Sequence, residues 1–508
     1  MGPRFNYGKG LYDQLTEVMA RLDAMEKTHQ EETFQMKEEI STLQKENEHL
    51  REENRLLRED NARMKSILSN DSSNTSLPPS SDQKGGRPAN TYNSREKTGK
   101  KSGGQKGHKG TTLTKADVEE NLRSGKYCHR IREIGKERGG DYTVKYVLDL
   151  EVVPVITEVR IYRGKEGTAA IGEEYRSDVC YGEQVKALAV MLYGEGVMSI
   201  SRITSQLNDL GGGSLKLSEG SVYGFCRKFA QKEERDVKCL EERLLNQEVV
   251  STDATVVTLN GEQSFIRNFS IRDTVLYEGM EEKSLKALGE IEFLKKYTGI
   301  LIHDHETAMY HFGTGHGECN VHLLRYLKKN TEETGNSWSG KMSGLLTGIN
   351  RARKEAVERG EKNFQPEEVR KYKEEYREVL REGREENKKT EHKYAKEEEK
   401  KLLNRLGKYE KNHLLFAEDF RVPFDDNMSE RDLRKAKNRQ KMSGGFRKGS
   451  GQKMYCVILS ILETLKRRGM PLLENIRTVF REKTPALGSV KKFVSLEEND
   501  SFLVRITI

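Results

Sequence analysis

Two acidic residues stand out because of where they fall in the sequence. Asp253 interrupts the apolar run EVVSTDATVVTL, and Asp304 follows a second one, TGILIH. Burying an unpaired carboxylate is costly, so an acid in such a run indicates a bound cation, a hydrogen-bond network or a catalytic site. Taken alone, an aspartate at a strand end is more often a turn or helix cap than a ligand.

A third acid, Glu430, opens a predicted helix within DDNMSERDLRKAKNRQKMSGGFRKGSG. Asp426, Asn427 and Ser429 supply plausible caps for its first turn. The helix places a carboxylate among cations, as a site must if it holds both Mg²⁺ and DNA. The candidate DNA contacts here are Arg431, Arg434, Lys437, Lys441 and Arg447. A surface helix with capping acids is the alternative.

The elements that must position these acids can be predicted in outline. The first apolar run is followed by Asn260-Gly261, a dipeptide typical of a type I′ hairpin turn, and by further β-rich sequence. Asp253 and Asp304 both mark strand positions, so the two strands could lie side by side.

At 508 residues the chain is too long for one compact core, so we expect several modules. We divide it into a leucine-zipper coiled coil (1–70), a flexible basic linker (71–120), a small β module (121–165), a helical DNA-binding region (166–245), the first part of a catalytic core (246–334), a charged helical insertion (335–416), the second part of the core with the Glu430 helix (417–480) and a C-terminal tail (481–508).

The N-terminal segment carries an unbroken heptad register, which predicts a coiled coil. Apolar residues fill its d positions, with His29 as the one weak member, and asparagines recur at a. Asparagine at a favours parallel, two-stranded, in-register pairing. We therefore predict a homodimer, against the alternative of a single solvated helix. The predicted contacts are Leu15, Leu22, Leu43, Asn47, Leu50, Asn54, Leu57, Asn61 and Met64.

The segment that follows, from Lys84 to Lys109, is strongly basic, glycine-rich and carries one acid, Glu96. Such a segment cannot build a packed core, and its cations suit DNA phosphates. A plain solvated linker is the alternative. The predicted DNA contacts are Lys84, Arg87, Lys100, Lys101, Gln105, Lys106, His108 and Lys109.

Three further regions have recognisable patterns. Residues 141–162, DYTVKYVLDLEVVPVITEVRIY, predict two or three short strands. The segments ISRITSQLNDL and LSEGSVYGFCRKFA could form a helix-turn-helix, although such helix pairs also occur in scaffolds. The Glu/Lys-rich insertion predicts long exposed helices, which could be an antiparallel pair. It could serve as a solvated arm or contact DNA or another subunit.

Composition narrows the class of protein. Charged residues make up 33% of the chain, the formal net charge is +8, and no apolar run is long enough to span a membrane. We therefore expect a cytoplasmic, nucleoid-associated protein without membrane contact. The six cysteines form no Cys-x-x-Cys pair, so we expect reduced thiols rather than a disulfide framework.

Six ordered motifs carry a resemblance to a known family: SLPPSSD, GGQKGHKG, YGEQVKALAVMLYGEGVMSISRI, STDATVVTL, DHETAMYHF with CNVH, and DNMSERDLRKAKNRQKMSGGFR. The chain resembles transposases of the insertion-sequence-66 family. The resemblance implies a DDE catalytic triad at Asp253, Asp304 and Glu430. It also implies a multidomain, predominantly α protein with an α/β RNase H-like core, an N-terminal parallel coiled coil and a basic linker.

The activity implied by the resemblance is binding of an element's terminal inverted repeats, followed by DNA cleavage and strand transfer with two Mg²⁺ or Mn²⁺ ions. DNA, a second copy of the chain and accessory transposition proteins would be its partners. A catalytically silent dimeric DNA-binding regulator and a related two-metal nuclease are the alternatives.

Zinc is not expected at two places where it could be considered. Family members commonly carry a small zinc finger after the basic linker, but here only Cys128 and His129 are available, too few for a four-ligand site. His316, Cys319 and His322 have a spacing that would share a helical face. We interpret them as supporting or packing residues, since a fourth ligand is missing.

Overall fold

The computed structural model describes residues 7–70, 113–125, 129–131, 143–150, 152–161, 175 and 177–481. The predicted DNA contacts from Lys84 to Lys109, the side chain of Cys128 and the tail from residue 482 onward lie outside the described residues. The chain divides into two compact units. We call residues 93–321, 356–363 and 411–508 the sheet unit, and residues 1–92, 322–355 and 364–410 the helical unit.

The described residues are mostly helical, as predicted. The helices are α1 Tyr7–Leu68, α2 Lys115–Arg123, α3 Glu183–Gly194, α4 Ile200–Leu210, α5 Glu219–Lys232, α6 Glu234–Leu245, α7 Leu285–Leu288, α8 Glu292–Lys296, α9 Asn320–Thr334, α10 Trp338–Glu358, α11 Pro366–Lys389, α12 Lys393–Lys408, α13 Glu410–Glu418, α14 Asn427–Asp432, α15 Arg434–Ser443, α16 Gly449–Arg467 and α17 Leu472–Arg481. A short 3₁₀ helix covers Thr307–His311.

The sheet unit contains a mixed five-stranded sheet. Its strands are β1 Val249–Leu259, β2 Glu262–Ser270, β3 Val275–Met280, β4 Ile300–His303 and β5 Gly315–Glu318. The spatial order is β3-β2-β1-β4-β5. The β1–β2 and β2–β3 pairs are antiparallel, whereas β4 is parallel to β1 and β5 is parallel to β4. This arrangement gives the α/β core that the sequence predicts.

The turn between β1 and β2 is the predicted hairpin. Asn260 and Gly261 both have positive φ angles, 53° and 86°, as a type I′ turn requires. The turn sets the register in which Leu259 faces Glu262 and Asp253 faces Asn268. A local turn signal therefore determines which β2 residue lies beside Asp253.

Apolar clusters cover both faces of the sheet. On one face Val257, Ile266 and Val275 pack in the same core as Ile458 and Leu462 of α16. On the other face Val250, Phe269 and Leu301 pack with residues of α8. Side chains alternate between the faces of a strand, so Asp253 shares the face of Val257, the one that α16 covers.

The helices α3, α4 and α5 form a small helical group in the sheet unit. Both members of the predicted helix pair are present, and the Ser199 and Ser218 side chains cap α4 and α5. The connection between them runs from Gly211 to Ser218, longer than the three or four residues of a typical helix-turn-helix. The helix pair is confirmed, and its use in reading DNA stays a prediction.

The predicted small β module differs in the structure. No strand forms in the described stretches 143–150 and 152–161, and the one described helix of that region is α2. Val147, Leu150 and Ile156 are 91%, 85% and 97% exposed, so these apolar side chains do not pack on a sheet. A strand is stable only with a hydrogen-bonded neighbour, which alternation in the sequence cannot supply.

The helical unit contains α1 and most of the predicted insertion. The insertion forms α10, α11 and α12, as its Glu/Lys pattern predicts, and α11 packs along α12. Near its end α1 contacts this unit through Glu59, which accepts a hydrogen bond from the Lys393 backbone nitrogen at 3.1 Å, and through Ser66, which donates to Glu333. Among the described residues, no helix combines the length and apolar composition needed to cross a membrane.

Candidate active site

Asp253 lies in β1, and Asp304 directly follows β4, the neighbouring parallel strand. Ser251 of β1 pairs with Ile302 of β4, and each aspartate lies two residues further along its strand direction. Residues two apart point to the same face, and neighbouring strands are about 4.8 Å apart. The register therefore brings the two carboxylates side by side at the end of β4, as the sequence suggested.

Glu430 reaches the same area because α14 is fixed on the sheet next to Asp253. Asn268, directly opposite Asp253 on β2, accepts a hydrogen bond from the Asp253 nitrogen at 3.0 Å and donates to the Ser429 carbonyl at 3.2 Å. Asp432, at the other end of α14, accepts a 2.6 Å hydrogen bond from Ser270 and pairs with Arg467. Asn268 thus links the strand of one acid to the helix of another.

The charges at this site repel one another. The pKa of Asp253 is raised to about 6, in first place by burial and then by the neighbouring Asp304 carboxylate. The Ala254 backbone N–H, which donates to the Asp253 carboxylate at 2.6 Å, acts in the opposite direction, as do Lys283 and Arg267. Carboxylates that repel one another in this way favour the binding of a cation, which would offset their repulsion.

A fourth carboxylate, Asp426, belongs to the same group. Burial raises its pKa well above the ordinary range, and the charges of Asp253, Glu430 and Asp304 raise it too, whereas the Ser429 hydroxyl lowers it. The sequence predicted Asp426 as a helix cap. It does occupy the N-cap position of α14, but its side chain makes no capping hydrogen bond. That part of the prediction is wrong.

Two cations lie beside the acids and are partly engaged. The fully buried Arg267 donates to the Thr252 hydroxyl at 3.1 Å and to Glu306 at 2.5 Å. Lys283 lies 3.4 Å from the Ala254 carbonyl oxygen and 3.9 Å from Glu306. Glu306 therefore neutralises much of this positive charge, and the two cations offset only part of the repulsion at Asp253.

The donor set suits a hard divalent cation. The four acids offer carboxylate oxygens alone, which are the ligands that Mg²⁺ prefers, and softer ligands are not needed. Within the described residues, no three aspartate, glutamate, histidine or cysteine side chains stand close enough together to hold one metal ion. Metal binding would therefore require the carboxylates to move towards one another.

Comparison with known proteins identifies the family. A model described as the IS66 family of transposases matches residues 178–454, more than half of the chain. The chain belongs to the IS66 transposase family. A second model, for a family of unknown function (DUF6444), matches residues 14–114. No curated protein and no solved structure matched the chain.

Membership of the IS66 family supports a role as a transposase, and hence as a DNA-processing enzyme that binds DNA. The matched range contains Asp253, Asp304, Asp426 and Glu430, together with the whole five-stranded sheet. Most of the α1 helix, from residue 14 onward, falls within the range of the second family instead.

The basic residues that follow Glu430 are mostly exposed to solvent. Arg431, Arg434, Lys441 and Arg447 are exposed, and Lys437 is half-buried. Helix α15 is held along β1, because Gln440 accepts a 2.7 Å hydrogen bond from the Thr258 nitrogen. Gly445 continues this attachment with a φ of 101°, and a Cβ there would overlap the Thr258 carbonyl oxygen.

The histidines near Asp304 do not share a helical face. His316 lies in β5, Cys319 follows that strand, and α9 begins at Asn320, so the helical interpretation of the His316, Cys319 and His322 spacing is wrong. The strand GHGE is too short and too polar to be recognised from its sequence. Instead, the Glu318 carboxylate oxygens lie 2.8 Å from His305 Nδ1 and 3.1 Å from His413 Nε2, within hydrogen-bond distance of both. It anchors the loop that carries Asp304.

Sequence reasoning missed Asn268 and Arg267 and misassigned Asp426. An asparagine and an arginine in a strand have no local signature that separates them from ordinary exposed residues. The alternation of β2 could have given a hint, because Arg267 falls among apolar positions of a buried strand. Asp426 had a signal, an acidic pair before Glu430, but the capping interpretation explained it equally well.

Proposed function

We propose that the chain is a DDE transposase that binds the terminal inverted repeats of its insertion sequence and cleaves and joins DNA strands with Mg²⁺ or Mn²⁺. Asp253, Asp304 and Glu430 would hold the metal ions. The strand register that sets Asp253 beside Asp304, with α14 tied to the same place by Asn268, is the observation that carries this proposal. The strand order and directions are consistent with an RNase H-like core.

The chain's own residues would bind and orient the DNA and hold the ions. When bound, a pair of divalent ions supplies activation of the attacking oxygen and stabilisation of the leaving oxygen. Asn268 would keep Glu430 at a fixed distance from Asp253. Lys283 and the exposed Arg431 and Arg434 would attract the phosphate backbone, and the acids would supply no covalent nucleophile.

Recognition of the element's ends is proposed for the α3–α5 group and the basic linker. Tyr223, Arg227 and Lys228 are exposed on α5, where they could meet DNA. The linker cations from Lys84 to Lys109 would add phosphate contacts that depend on salt concentration. A nucleoid location in the cytoplasm would follow from such binding.

A homodimer through α1 is part of the proposal. Leu43 and Leu50 are 51% and 50% exposed, whereas Glu59 and Ser66, which contact the helical unit, lie at f positions of the heptad. The a and d positions therefore stay accessible to a second copy. Changing Leu43, Leu50 and Leu57 together to lysine should give monomers by light scattering, while the variant in which Glu31, Glu38 and Glu52, all at f positions, are changed to lysine should stay dimeric. An unchanged dimer in the leucine variant would reject this interface.

The catalytic assignment is tested by Asp253→Asn, Asp304→Asn and Glu430→Gln. Each should reduce cleavage of DNA carrying the element's ends by roughly 10³-fold or more, because each removes a carboxylate needed to hold the ions. Binding of the same DNA, measured by mobility shift, should be retained. Asp425→Asn removes the acid next to Asp426 and is the matched control. Full activity of any one variant would reject that residue, and cleavage without joining would favour a nuclease.

A further inference from the structure

Asp426 combines complete burial with an unsatisfied carboxylate. Its side chain is 1% exposed, and its Oδ1 atom is buried with no hydrogen-bond partner among the described residues. A buried carboxylate without donors costs several kcal/mol unless a cation or a proton compensates it. Proteins retain such a group at a functional site more readily than in a structural core.

The backbone holds Asp426 firmly in this place. Its nitrogen donates to the Cys319 sulfur at 3.3 Å, and its carbonyl oxygen accepts from the Glu430 nitrogen at 3.2 Å. Cys319 is itself attached to the strand of Asp304, because its nitrogen donates to the His303 carbonyl at 2.9 Å. Asp426 is therefore fixed between the residue before Asp304 and the helix of Glu430.

The surroundings of the carboxylate are acidic. The ionised groups that act on it most strongly are Asp253, Glu430 and Asp304, the three acids of the proposed triad. As the N-cap of α14 it would ordinarily bond the helix amides, yet its side chain does not. Apart from the Ser429 hydroxyl, the groups that act most strongly on the carboxylate are the other acids.

We propose that Asp426 is a fourth carboxylate ligand of the divalent-metal site formed by Asp253, Asp304 and Glu430. This inference rests on the proposed function. No three of these groups are close enough in the described residues to share one ion, so the ligands would draw together on binding.

The test compares full-length Asp426→Asn with the wild type by metal binding and thermal unfolding. Without metal, in EDTA, the variant should unfold at a higher temperature, because it lacks one of four mutually repelling acids. Its affinity for Mn²⁺, titrated by electron paramagnetic resonance of the free ion, should fall roughly tenfold or more. The rise in unfolding temperature on adding Mn²⁺ should shrink accordingly. Asp426→Ala, which also removes the amide oxygen, should bind Mn²⁺ more weakly still.

Two controls separate this inference from the proposed function. Asp425→Asn should match the wild type in Mn²⁺ affinity, since Asp425 is bonded to the Asn427 nitrogen at 3.2 Å instead. If Asp253→Asn weakens Mn²⁺ binding but Asp426→Asn does not, Asp426 is no ligand and the triad stands. If neither variant weakens it, the metal site itself is rejected. A lower unfolding temperature of Asp426→Asn in EDTA would make Asp426 a structural residue and overturn the inference.

Discussion

The two units of the molecule each bury a carboxylate, and they do so in opposite ways. Glu399 in the helical unit and Asp426 in the sheet unit are both 1% exposed. Glu399 accepts hydrogen bonds from Trp338 at 2.6 Å, Asn336 at 2.7 Å and Asn387 and Thr390 at 2.8 Å, whereas Asp426 faces other acids. The pKa of Glu399 is lowered despite its burial, while that of Asp426 is raised.

The difference indicates how structural and functional acids can be told apart. Neutral donors surround Glu399 and stabilise its charge, so the carboxylate joins α10, α11 and α12 without any ligand. At Asp426 the fold brings like charges together and leaves an oxygen unsatisfied. The first arrangement is complete within the protein, whereas the second leaves a buried acid that a proton or a cation would compensate.

The largest expected effect on stability comes from Glu399→Gln. The glutamine NH₂ group would face side chains that themselves donate hydrogen bonds. The free energy of unfolding should therefore fall by about 3 kcal/mol. Trp338 is the only tryptophan of the chain and donates to Glu399, so its fluorescence in a guanidinium titration reports on this region. Glu398→Gln, at an adjacent and more exposed acid that pairs with Lys401 three residues along α12, should leave the midpoint unchanged. If the two variants have equal midpoints, the hydrogen bonds to Glu399 do not stabilise the fold, and Glu399 is not the structural counterpart of Asp426.

A smaller effect is expected from Asn268→Ala, which removes the link between Asp253 and α14. The loss of its hydrogen bonds should lower the free energy of unfolding by about 2 kcal/mol. Strand cleavage should fall by more than the fraction of unfolded protein explains, because Glu430 loses its fixed distance from Asp253. The control is Asn246→Ala, at an exposed asparagine whose side chain donates to the Glu242 carbonyl. Unchanged cleavage by a folded Asn268→Ala protein would contradict the positioning role.

The smallest effect concerns Glu278, an acid of the edge strand β3. Burial raises its pKa to about 7, with a contribution from Glu241, and Lys453 opposes the shift. The folded state thus favours the protonated form, and the free energy of unfolding should decrease as the pH rises from about 4.5 to about 7.

Glu278→Gln should remove this decrease and stabilise the protein at pH 8 by on the order of 1 kcal/mol, with no change at pH 4. Thermal unfolding across that pH range measures it. The exposed Glu262→Gln should follow the wild-type curve. If Glu278→Gln also follows the wild-type curve, burying an acid in this sheet does not lower the free energy of unfolding. The burial of Asp426 would then indicate less about its function.

What could be predicted from the sequence depended on whether the cause was local. Asn260-Gly261 determines its own turn, and the apolar runs before Asp253 and Asp304 form the strands that their composition predicts. The helices of the insertion follow from their Glu/Lys pattern. In each case neighbouring residues contain the whole reason for the conformation.

The remaining features depend on partners far away in the sequence. The Val/Ile-rich residues 143–161 have β propensity, but the described stretches pair with no strand. The position of Asp426 depends on its contact with Cys319, more than a hundred residues earlier, and local capping rules cannot supply it. Asn268 gains its role only through the register of β1 and β2. The dimer and the DNA contacts of the linker stay predictions.

The helical insertion between the strands and α14 has a consequence for the timing of synthesis. Asp304 and Glu430 are 126 positions apart. At roughly 5–20 residues per second, a ribosome needs on the order of ten seconds to translate this interval. Throughout that time the nascent polypeptide possesses both strand aspartates but neither acid of the later segment. Under the proposed function, the nascent chain can bind DNA through the basic residues from Lys84 to Lys109 well before it is able to cleave a DNA strand.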